Sequence, residues 1–402
     1  MDSRLRGNDE QKQTPVPTRL GDVVNFKRGY DLPESARRPG PYPVISSAGI
    51  SGYHDEFKVR GEGVVTGRYG TLGEMHYHNG AYWPHNTALY VTDFKGNVPK
   101  YVYYLLSCLG RMDTGDKSTV PGVNRNDLHE LKIPVIGNKA DQQKIAAVLS
   151  ALDAKVDLNN RINAELEAQA KTLYDYWFVQ FDFPDANGRP YKTSGGRMVW
   201  NEALKREIPA GWADLNITAL AEVVGGATPS KANPEYWNGD IPFFTPTDAG
   251  GSVFQLQTED SITQSGLDRC SSDLFDKGTI LITARGSVGK IAITGRAMAM
   301  NQSCYALVPK VPASYPFVFL HAKTLIHHLK VKASGSTFNS IVTNDIEWTR
   351  LISPRPEVVS AFCKAVTPLF ERIEAAQREN LELTQLRDWL LPLLMNGQVR
   401  VA

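Results

Sequence analysis

The chain has 402 residues, of which 42% are hydrophobic and 22% charged, and its formal net charge is +1. This length allows two or three domains with separate cores, while the absence of a long apolar run excludes a membrane span or a secretory signal and predicts a cytoplasmic protein. Near-neutral charge also disfavours a protein that grips nucleic acid unaided, because neutralised phosphates supply most of that affinity.

The first half begins with a polar leader, residues 1–14, which we expect to be disordered or non-native. Order is expected from "RLGDVV", Arg19 to Val24. The β-branched run "GVVTG" predicts a buried strand, and "PKYVYYLLSCLG" has the apolar spacing of a helix. Residues 15–139 are therefore predicted to form an α+β globule.

A long helix is predicted next, over residues 140–181. Asn138 can cap it and Asp141 lies in its first turn. The pattern ends at the aromatic cluster "YDYWFVQFDFP". The apolar stripe that defines the helix consists of Ile145, Leu149, Leu152, Val156, Ile162, Leu166, Ala170 and Leu173.

Residues 182–212 are rich in Gly, Pro and turn residues and are predicted to be a linker, docked by Tyr191, Trp200 and Trp212. A second α+β globule is predicted over residues 213–353, with a strand at "GTILITA" and a helix at "SYPFVFLHAKTLIHHLKVKAS". A second long helix, residues 354–396, is predicted to open with Pro356 and Glu357 and to stop at Pro392. Its stripe consists of Phe362, Val366, Leu369, Ile373, Leu383, Leu386 and Leu390.

The two halves repeat each other. "TGRYGTLG" from Thr66 resembles "TARGSVGK" from Thr283 with one residue inserted, "HNTALYV" resembles "NQSCYALV", and "STVPGVNRNDL" resembles "STFNSIVTNDI". The offset between the halves is 200 residues at Val24 and Val224 and 217 at Thr66 and Thr283, so the second half is longer by 17 residues. We expect this extra length in surface loops. The order is globule, helix, globule, helix, with a pseudo-twofold internal repeat.

The narrow stripes suit an antiparallel coiled coil, in which each helix of thirty-odd residues is about 50 Å long. Asn159 and Asn380 then fall at equivalent seam positions. Such asparagines either lie buried and fix the register of the helices or lie solvated at the edge of the stripe. The sequence leaves both alternatives open.

No motif predicts catalysis. The loop at Gly289 and Lys290 lacks the glycine and the Ser or Thr of a nucleotide-binding P-loop, so we interpret it as a hairpin turn. "ANPEYW" from Ala232 resembles the base-holding segment of adenine methyltransferases only poorly and predicts a turn with an anchored aromatic. His76 and His78 lack a third metal ligand nearby, and His327 and His328 suit a helix edge. The cysteines are scattered and are predicted to be small core residues, namely Cys108, Cys270, Cys304 and Cys363.

With these repeats and no catalytic motif, the sequence resembles the specificity subunit of Type I restriction–modification systems. The resemblance rests on "GTILITARGSVGKIAI", on its partner "GEGVVTGRYGTLGEMHY", on the first long helix and on "REIPAGW" before the second globule. It implies two target recognition domains, each reading one half of a split DNA site, and two helices that act as the spacer. It also implies that the chain itself catalyses nothing.

The resemblance further implies partners and cofactors. The ligand would be double-stranded DNA, and two methyltransferase subunits and a restriction or translocase subunit would assemble with the chain. S-adenosylmethionine and ATP would be used by those subunits, with no cofactor or metal bound by this chain. Because the two globules have diverged, the two half-sites should differ.

Candidate DNA contacts are shared between the halves. Arginines beside glycines can reach phosphates or base edges, and hydroxyl groups before the long helices can donate to phosphates. The alternative is that the arginines pair with acidic neighbours. The predicted DNA-binding residues are Arg68, Tyr69, Ser118, Thr119, Arg285, Ser287, Ser336 and Thr337. Base reading should fall on residues that differ between the halves, with Tyr53, His54, Lys58, Tyr69, Thr247, Gln255 and Gln257 as candidates.

Two other functions compete with this one. A coiled-coil adaptor that binds only proteins would keep the helices but would leave the diverged globules unexplained. An enzyme related to adenine methyltransferases would require a cofactor loop that the sequence lacks.

Overall fold

A computed structural model of the chain describes residues 15–67, 74–109, 125–332 and 340–401. The chain divides into two compact units, the first formed by Met1–Val156 and Leu381–Ala402 and the second by Asp157–Asn380. The predicted boundaries at the ends of the globules, helices and linker stay predictions. Within the described ranges, no helix is both long and apolar enough to cross a membrane.

The first half is an α+β globule, as predicted. Its strands and helices, in chain order, are β1 (Val16–Arg19), α1 (Leu20–Val23), β2 (Asn25–Arg28), β3 (Tyr42–Ser46), β4 (Gly49–His54), β5 (Val59–Gly67), β6 (Met75–Pro84), β7 (Ala88–Asp93), α2 (Pro99–Ser107), α3 (Arg125–Glu130) and β8 (Lys132–Val135). The central sheet has the order β2-β7-β5-β6-β3-β4, and β1 pairs with β8. Helix α2, predicted from its apolar spacing, packs on β5 and β6.

The first long helix, α4 (Lys139–Tyr174), is followed by a π-helical turn at Asp175–Val179. The remaining elements are β9 (Met198–Asn201), β10 (Arg206–Pro209), β11 (Ala213–Leu215), β12 (Ala221–Gly225), β13 (Trp237–Phe244), β14 (Phe254–Gln255), β15 (Asp260–Ile262), α5 (Gln264–Arg269), β16 (Ile280–Thr283), β17 (Ile291–Thr294), β18 (Ala299–Met300), β19 (Cys304–Pro309), α6 (Tyr315–Lys332), α7 (Thr343–Trp348), β20 (Leu351–Ser353) and α8 (Pro356–Met395).

The second globule repeats the topology of the first. Its five-stranded sheet has the order β12-β19-β16-β17-β14, so its first four strands correspond to β2-β7-β5-β6. In each half a short six-residue helix, α3 or α7, precedes a strand that pairs with the first strand of that half. The extra length lies between β13 and β16, where it forms β14 and α5 as well as loops. The predicted repeat is confirmed.

The segment between α4 and β11 is docked through two of its three predicted aromatics. Phe183 stacks on Tyr191 and on Trp212, with ring centroids 4.7 and 4.9 Å apart, because these side chains can bury apolar faces here that would otherwise contact water. The prediction is wrong for Trp200, which lies on the β9–β10 hairpin and is 56% exposed.

The first long helix begins as predicted. The Asn138 side-chain carbonyl accepts a hydrogen bond from the N–H of Ala140 at 2.9 Å, which satisfies one of the free donors of the first turn. At the other end the buried rings of Tyr174, Trp177 and Phe178 enter the core of the second unit. The aromatic cluster that was predicted to end the helix therefore also packs the helix end into this core.

In the second unit the two long helices run antiparallel. Trp177 packs on Phe362 with ring centroids 5.5 Å apart, and fifteen to twenty residues away along each helix Asn159 Nδ2 donates to Asn380 Oδ1 at 2.9 Å. Asn159 is 2% exposed, so the buried alternative for this asparagine is confirmed. Asn159 Nδ2 also donates to Glu379 Oε2 at 2.8 Å, and Asn380 Nδ2 donates to Asn160 Oδ1 at 2.8 Å.

The predicted stripe of α8 is wrong near its C-terminal end. Leu386 is 43% exposed, whereas Leu391 and Leu394 are buried in the core of the first unit. Arg387 takes the interior position instead and donates to Asp153 of α4 at 2.8 Å. The predicted stop at Pro392 is also wrong, since the helix continues to Met395.

Candidate nucleic-acid interface

The "TARGSVGK" loop is a hairpin turn, as predicted. It joins the antiparallel strands β16 and β17, and Gly286 and Gly289 adopt positive φ angles of 78° and 76° that favour glycine. Thr283 is fully buried and closes the loop: its N–H donates to the carbonyl oxygen of Lys290 at 3.0 Å, and its hydroxyl oxygen accepts from the Lys290 N–H at 3.0 Å.

The first half closes its equivalent hairpin with Thr66. This threonine is 1% exposed, and its hydroxyl donates to the carbonyl oxygen of Glu74, eight residues on, at 3.3 Å. The Thr283 hydroxyl lies 3.4 Å from the carbonyl oxygen of Lys290, seven residues on. The predicted one-residue insertion, at Tyr69, lies outside the described residues and stays a prediction. Arg68 and Tyr69 lie outside the described residues.

The backbone at Arg285 is held by hydrogen bonds, and its side chain is exposed to solvent. The N–H groups of Ala284 and Arg285 donate to the carbonyl oxygen of Ser303 at 2.8 and 3.2 Å, and the carbonyl oxygen of Ala284 accepts from the N–H of Ile341 at 2.9 Å. The side chain is exposed, and across the described ranges it makes no hydrogen bond or ion pair. The alternative in which Arg285 pairs with an acidic neighbour thus finds no partner in that part of the chain.

Ser287 and the neighbouring loop complete this surface. Ser287 is half-buried and its carbonyl oxygen accepts from the Thr283 hydroxyl at 2.5 Å, so its backbone serves the turn. Beside it, Pro246 lies against the open face of Gly286, and Lys290 Nζ donates to the carbonyl oxygen of Ala249 at 2.9 Å. The loop at residues 245–251 is thereby joined to the Arg285 hairpin.

The loop at residues 245–251 presents hydroxyl groups. The Asp248 carboxylate accepts from the N–H of Thr245 and the N–H of Glu259, both at 2.8 Å, which holds the loop in one conformation. Thr247 is exposed and its hydroxyl lies 2.7 Å from that of Thr245. Arg285 and Thr247 therefore offer a cation and a hydroxyl on one surface of the second unit.

One backbone hydrogen bond near the hairpin is shared by the two units, but the side chains around it differ. The N–H of His85 donates to the carbonyl oxygen of Ile45 at 2.8 Å, as the N–H of Asn301 donates to that of Phe244 at 3.0 Å. Around this hydrogen bond His85 Nδ1 lies 3.0 Å from the Thr87 hydroxyl, and His76 Nε2 lies 3.3 Å from the carbonyl oxygen of Ser47. His85 thus lies where the second unit has Asn301, whose side-chain oxygen accepts from the N–H of Ser303 at 3.0 Å.

Burial decides between the predicted base-reading residues. His54 is 2% exposed and accepts from the N–H of Arg38, and Gln255 is 9% exposed and donates to the carbonyl oxygen of Gln257. These two are wrong as surface contacts. Tyr53, Thr247 and Gln257 are exposed, and Lys58 Nζ lies 4.5 Å from the centre of the Trp83 ring.

Four predicted hydroxyl contacts fall outside the described residues, namely Ser118, Thr119, Ser336 and Thr337. The chain that follows the last two returns to the site, since Ile341 bonds to Ala284. Sequence reasoning missed the loop at residues 46–49 and the side chains of His76, His85 and Thr87. The sequence indicates His85 and Thr87 only as part of the repeat "HNTALYV", with no role in the site.

The motifs considered for catalysis have structural roles here. Pro234–Tyr236 form a short 3-10 turn whose Asn233 side chain accepts from the Glu235 N–H at 3.1 Å. Trp237 anchors it by donating to the carbonyl oxygen of Ser230 at 3.1 Å, which confirms the predicted turn with an anchored aromatic. Among the residues outside the gaps, no three His, Cys, Asp or Glu side chains are grouped as metal ligands would be.

Comparisons with known proteins agree with this architecture. The model of a family described as the Type I restriction modification DNA specificity domain matches residues 15–168 and 209–385. The chain is similar to the specificity subunit of the Type I restriction enzyme HindI of Haemophilus influenzae, with 28% identity over 330 residues that cover 70% of this chain and 72% of that protein. It is also similar to the specificity subunit of the Type I restriction enzyme MjaIX of Methanocaldococcus jannaschii, with 27% identity over 314 residues, 76% of this chain and 70% of that protein.

A solved structure shows the same fold. The S subunit of a Type-I restriction-modification system from M. genitalium matches with a TM-score of 0.56 and 18% identity, covering all of both chains.

Proposed function

The chain belongs to the family of Type I restriction modification DNA specificity domains, and from this premise we propose that it is the subunit that recognises DNA sequence in a Type I restriction–modification complex. Each unit would read one half of a bipartite site through its hairpin surface. The observation that carries the proposal is the repeated topology of the two units, in which buried Thr66 and Thr283 lie at equivalent strand ends and the described polar side chains around them differ.

The two half-sites should differ in sequence. A base edge in the major groove is distinguished by its pattern of donors and acceptors. Among the residues that differ between the halves, the second unit offers the Thr247 hydroxyl, while the first offers the imidazoles of His76 and His85 with the Thr87 hydroxyl. Because these groups match different base edges, the complete target would be asymmetric.

The long helices would set the distance between the half-sites. Helix α4 has 36 residues and α8 has 40, and the hydrogen bond between buried Asn159 and half-buried Asn380 supports a fixed register. Two methyltransferase subunits would dock on the helices, and a restriction or translocase subunit would join them. These subunits would use S-adenosylmethionine and ATP, while this chain would bind neither and catalyse no reaction. A cytoplasmic location stays a prediction.

A gel-shift experiment separates this proposal from the adaptor hypothesis. The full chain, mixed with its methyltransferase subunits, is titrated into labelled duplex DNA containing a cognate site and into a duplex with the first half-site scrambled. Preference for the intact site by at least tenfold supports recognition, because each mismatched base pair costs about 1–3 kcal/mol. Equal affinity for both duplexes, with a stable protein complex, would support an adaptor that binds only proteins.

A further inference from the structure

The open end of the β16–β17 hairpin is attached to one face of helix α8. Lys277 precedes β16 and Gly295 follows β17, so these two residues mark the end opposite the Arg285 loop. Lys277 Nζ contacts Glu374 Oε2 at 2.8 Å. Arg378 Nη2 donates both to Glu374 Oε1 and to the carbonyl oxygen of Gly295, each at 2.7 Å. One helix face thus holds both strands of the hairpin.

A third contact joins α8 to the neighbouring strand. The side-chain oxygen of Gln377 accepts from the N–H of Phe254 at 3.0 Å, and Phe254 pairs with Ile293 of β17 in the sheet. The Phe254 ring also packs edge-on against Phe370 of α8, with ring centroids 6.4 Å apart. The contacting residues of α8 recur at three- and four-residue spacing, which places them on one face of the helix.

Glu374 is the centre of this contact. It is 7% exposed, and an unpaired buried carboxylate would be strongly unfavourable. Burial acts to raise its pKa, but hydrogen bonds and charges from Lys277 and Arg378 outweigh burial, so the pKa is lowered. The carboxylate is held charged by one cation from the hairpin and one from its own helix.

The contact at Glu374 can control the position of the Arg285 loop because the two lie at opposite ends of the same hairpin. Strands β16 and β17 connect the end of the hairpin that is attached to α8 with Arg285 at the other end, and an antiparallel strand rises about 3.4 Å per residue. A small rotation of the hairpin on α8 would therefore displace Arg285 by several times the movement at Glu374. A purely apolar contact would permit such rotation more readily, because hydrophobic packing has no preferred direction.

We propose that Glu374, Gln377 and Arg378 are positioning residues that fix the orientation of the Arg285 hairpin on helix α8, and so fix the length of the unread gap that the subunit accepts between its half-sites. The inference rests on the proposed function, since it concerns how accurately a recognised site must be spaced. These residues would not contact DNA. They would determine where the second reading surface stands relative to the helix that carries it.

The test uses the full chain with its methyltransferase subunits and a pool of duplexes that contain both half-sites at gaps from three base pairs too short to three too long. Wild type should select one gap. Glu374→Gln keeps the shape of the side chain but removes its charge. We expect it to select the same half-site sequences while its discrimination against gaps one base pair too short or too long falls about tenfold, the factor corresponding to one charge-assisted hydrogen bond.

Two control variants isolate positioning from stability. Glu202→Gln removes the exposed ion pair with Lys205 in the same unit, away from the hairpin, and should keep the wild-type gap. Ile346→Val thins the core of the unit near α7 and should lower the melting temperature without broadening the gap. If Ile346→Val broadens it as much as Glu374→Gln does, the residues only stabilise the fold and the proposal is overturned.

A milder variant keeps the inference testable if Glu374→Gln does not fold. Lys277 is 57% exposed at its side chain, so Lys277→Met removes one partner of Glu374 from the hairpin side with little loss of packing. It should broaden the accepted gap in the same direction but less. The proposal would be overturned if Glu374→Gln and Lys277→Met, where they fold, discriminated between gap lengths as strongly as wild type does. If wild type selected no half-site sequence, the proposed function itself would fail.

Discussion

Replacing Asn159 with alanine should destabilise the helix pair of the second unit by about 2.5 kcal/mol. The substitution removes one neutral hydrogen bond, to Asn380, which is worth about 1 kcal/mol, and one charge-assisted bond, to Glu379, which is worth about 1.5–3 kcal/mol. Asn380 and Glu379 are less buried than Asn159 and can recover water, which reduces the total toward the lower end of that range.

The same seam supplies a control with the opposite expected sign. Asn163 lies one helical turn further along α4 and is 8% exposed. Its side-chain oxygen has no hydrogen-bond partner among the residues that the structure describes. Asn163→Leu replaces an unsatisfied polar group with an apolar one, so we expect unchanged or greater stability. If any replacement of an asparagine between these helices lowered stability, the free energy of unfolding would fall in both variants.

The assay is urea unfolding followed by far-ultraviolet circular dichroism, with a double-mutant cycle between Asn159→Ala and Asn380→Ala. The cycle should return a coupling free energy of about 1 kcal/mol, because the two side chains share one direct hydrogen bond. A coupling below about 0.3 kcal/mol, which is within the range for independent sites, would refute the claim that this pair holds the helices in register.

Three further predictions concern DNA contact, pH and spacing. Arg285→Ala should weaken DNA binding and lower the slope of log affinity against log salt by about 1, measured by fluorescence anisotropy at several salt concentrations, with an unchanged melting temperature; loss of stability with intact binding would show that the arginine is structural. Burial lowers the pKa of His321 to about 3, below its value of about 6.5 in the unfolded chain. Between these two pH values the unfolded chain binds a proton that the folded chain does not. The contribution of His321 to the free energy of unfolding is therefore complete above about pH 6.5 and should fall by up to about 1.4 kcal/mol per pH unit as the pH drops toward 3. His321→Gln should flatten that dependence in urea midpoints measured across this range, and an unchanged slope would contradict it. Deleting seven residues from both long helices at facing positions shortens them by about 10 Å and should shorten the accepted gap by about three base pairs; an unchanged gap would refute the spacer role.

Much of the architecture could be predicted because it depends on repetition and local patterning. The sequence indicates the hairpin loops at Thr66 and Thr283 because a threonine, an arginine and paired glycines recur in the same order. The start of α4 was identified because Asn138 is a residue that caps helices. Both features depend on residues close together in sequence.

The errors arose where tertiary packing decides the outcome. Leu386 continued an apolar stripe, yet Arg387 takes the interior position because Asp153 from the other long helix satisfies it. His54 and Gln255 looked like surface polar residues, but each is buried with a backbone partner that the sequence does not specify. Helix periodicity and residue type do not reveal such partners, whether these lie two, 16 or 234 positions away in the sequence.

The candidate site was predicted only in part for the same reason. Arg285 was found because its glycines mark the loop. Thr247 was named only as a residue that differs between the halves, and its place beside Arg285 depends on the contact of Pro246 with Gly286. The contact between Glu374 and Lys277 joins residues almost a hundred positions apart, and no local pattern indicates it.

Selection of bound duplexes from a random DNA pool tests the central claim most directly. The full chain is mixed with its methyltransferase subunits, and the recovered duplexes are sequenced. Two dissimilar short motifs at one fixed gap are predicted, since the two units repeat one topology but have diverged in sequence. Recovery of no motif, or of one motif in two identical copies, by a stable complex would contradict recognition by two diverged units.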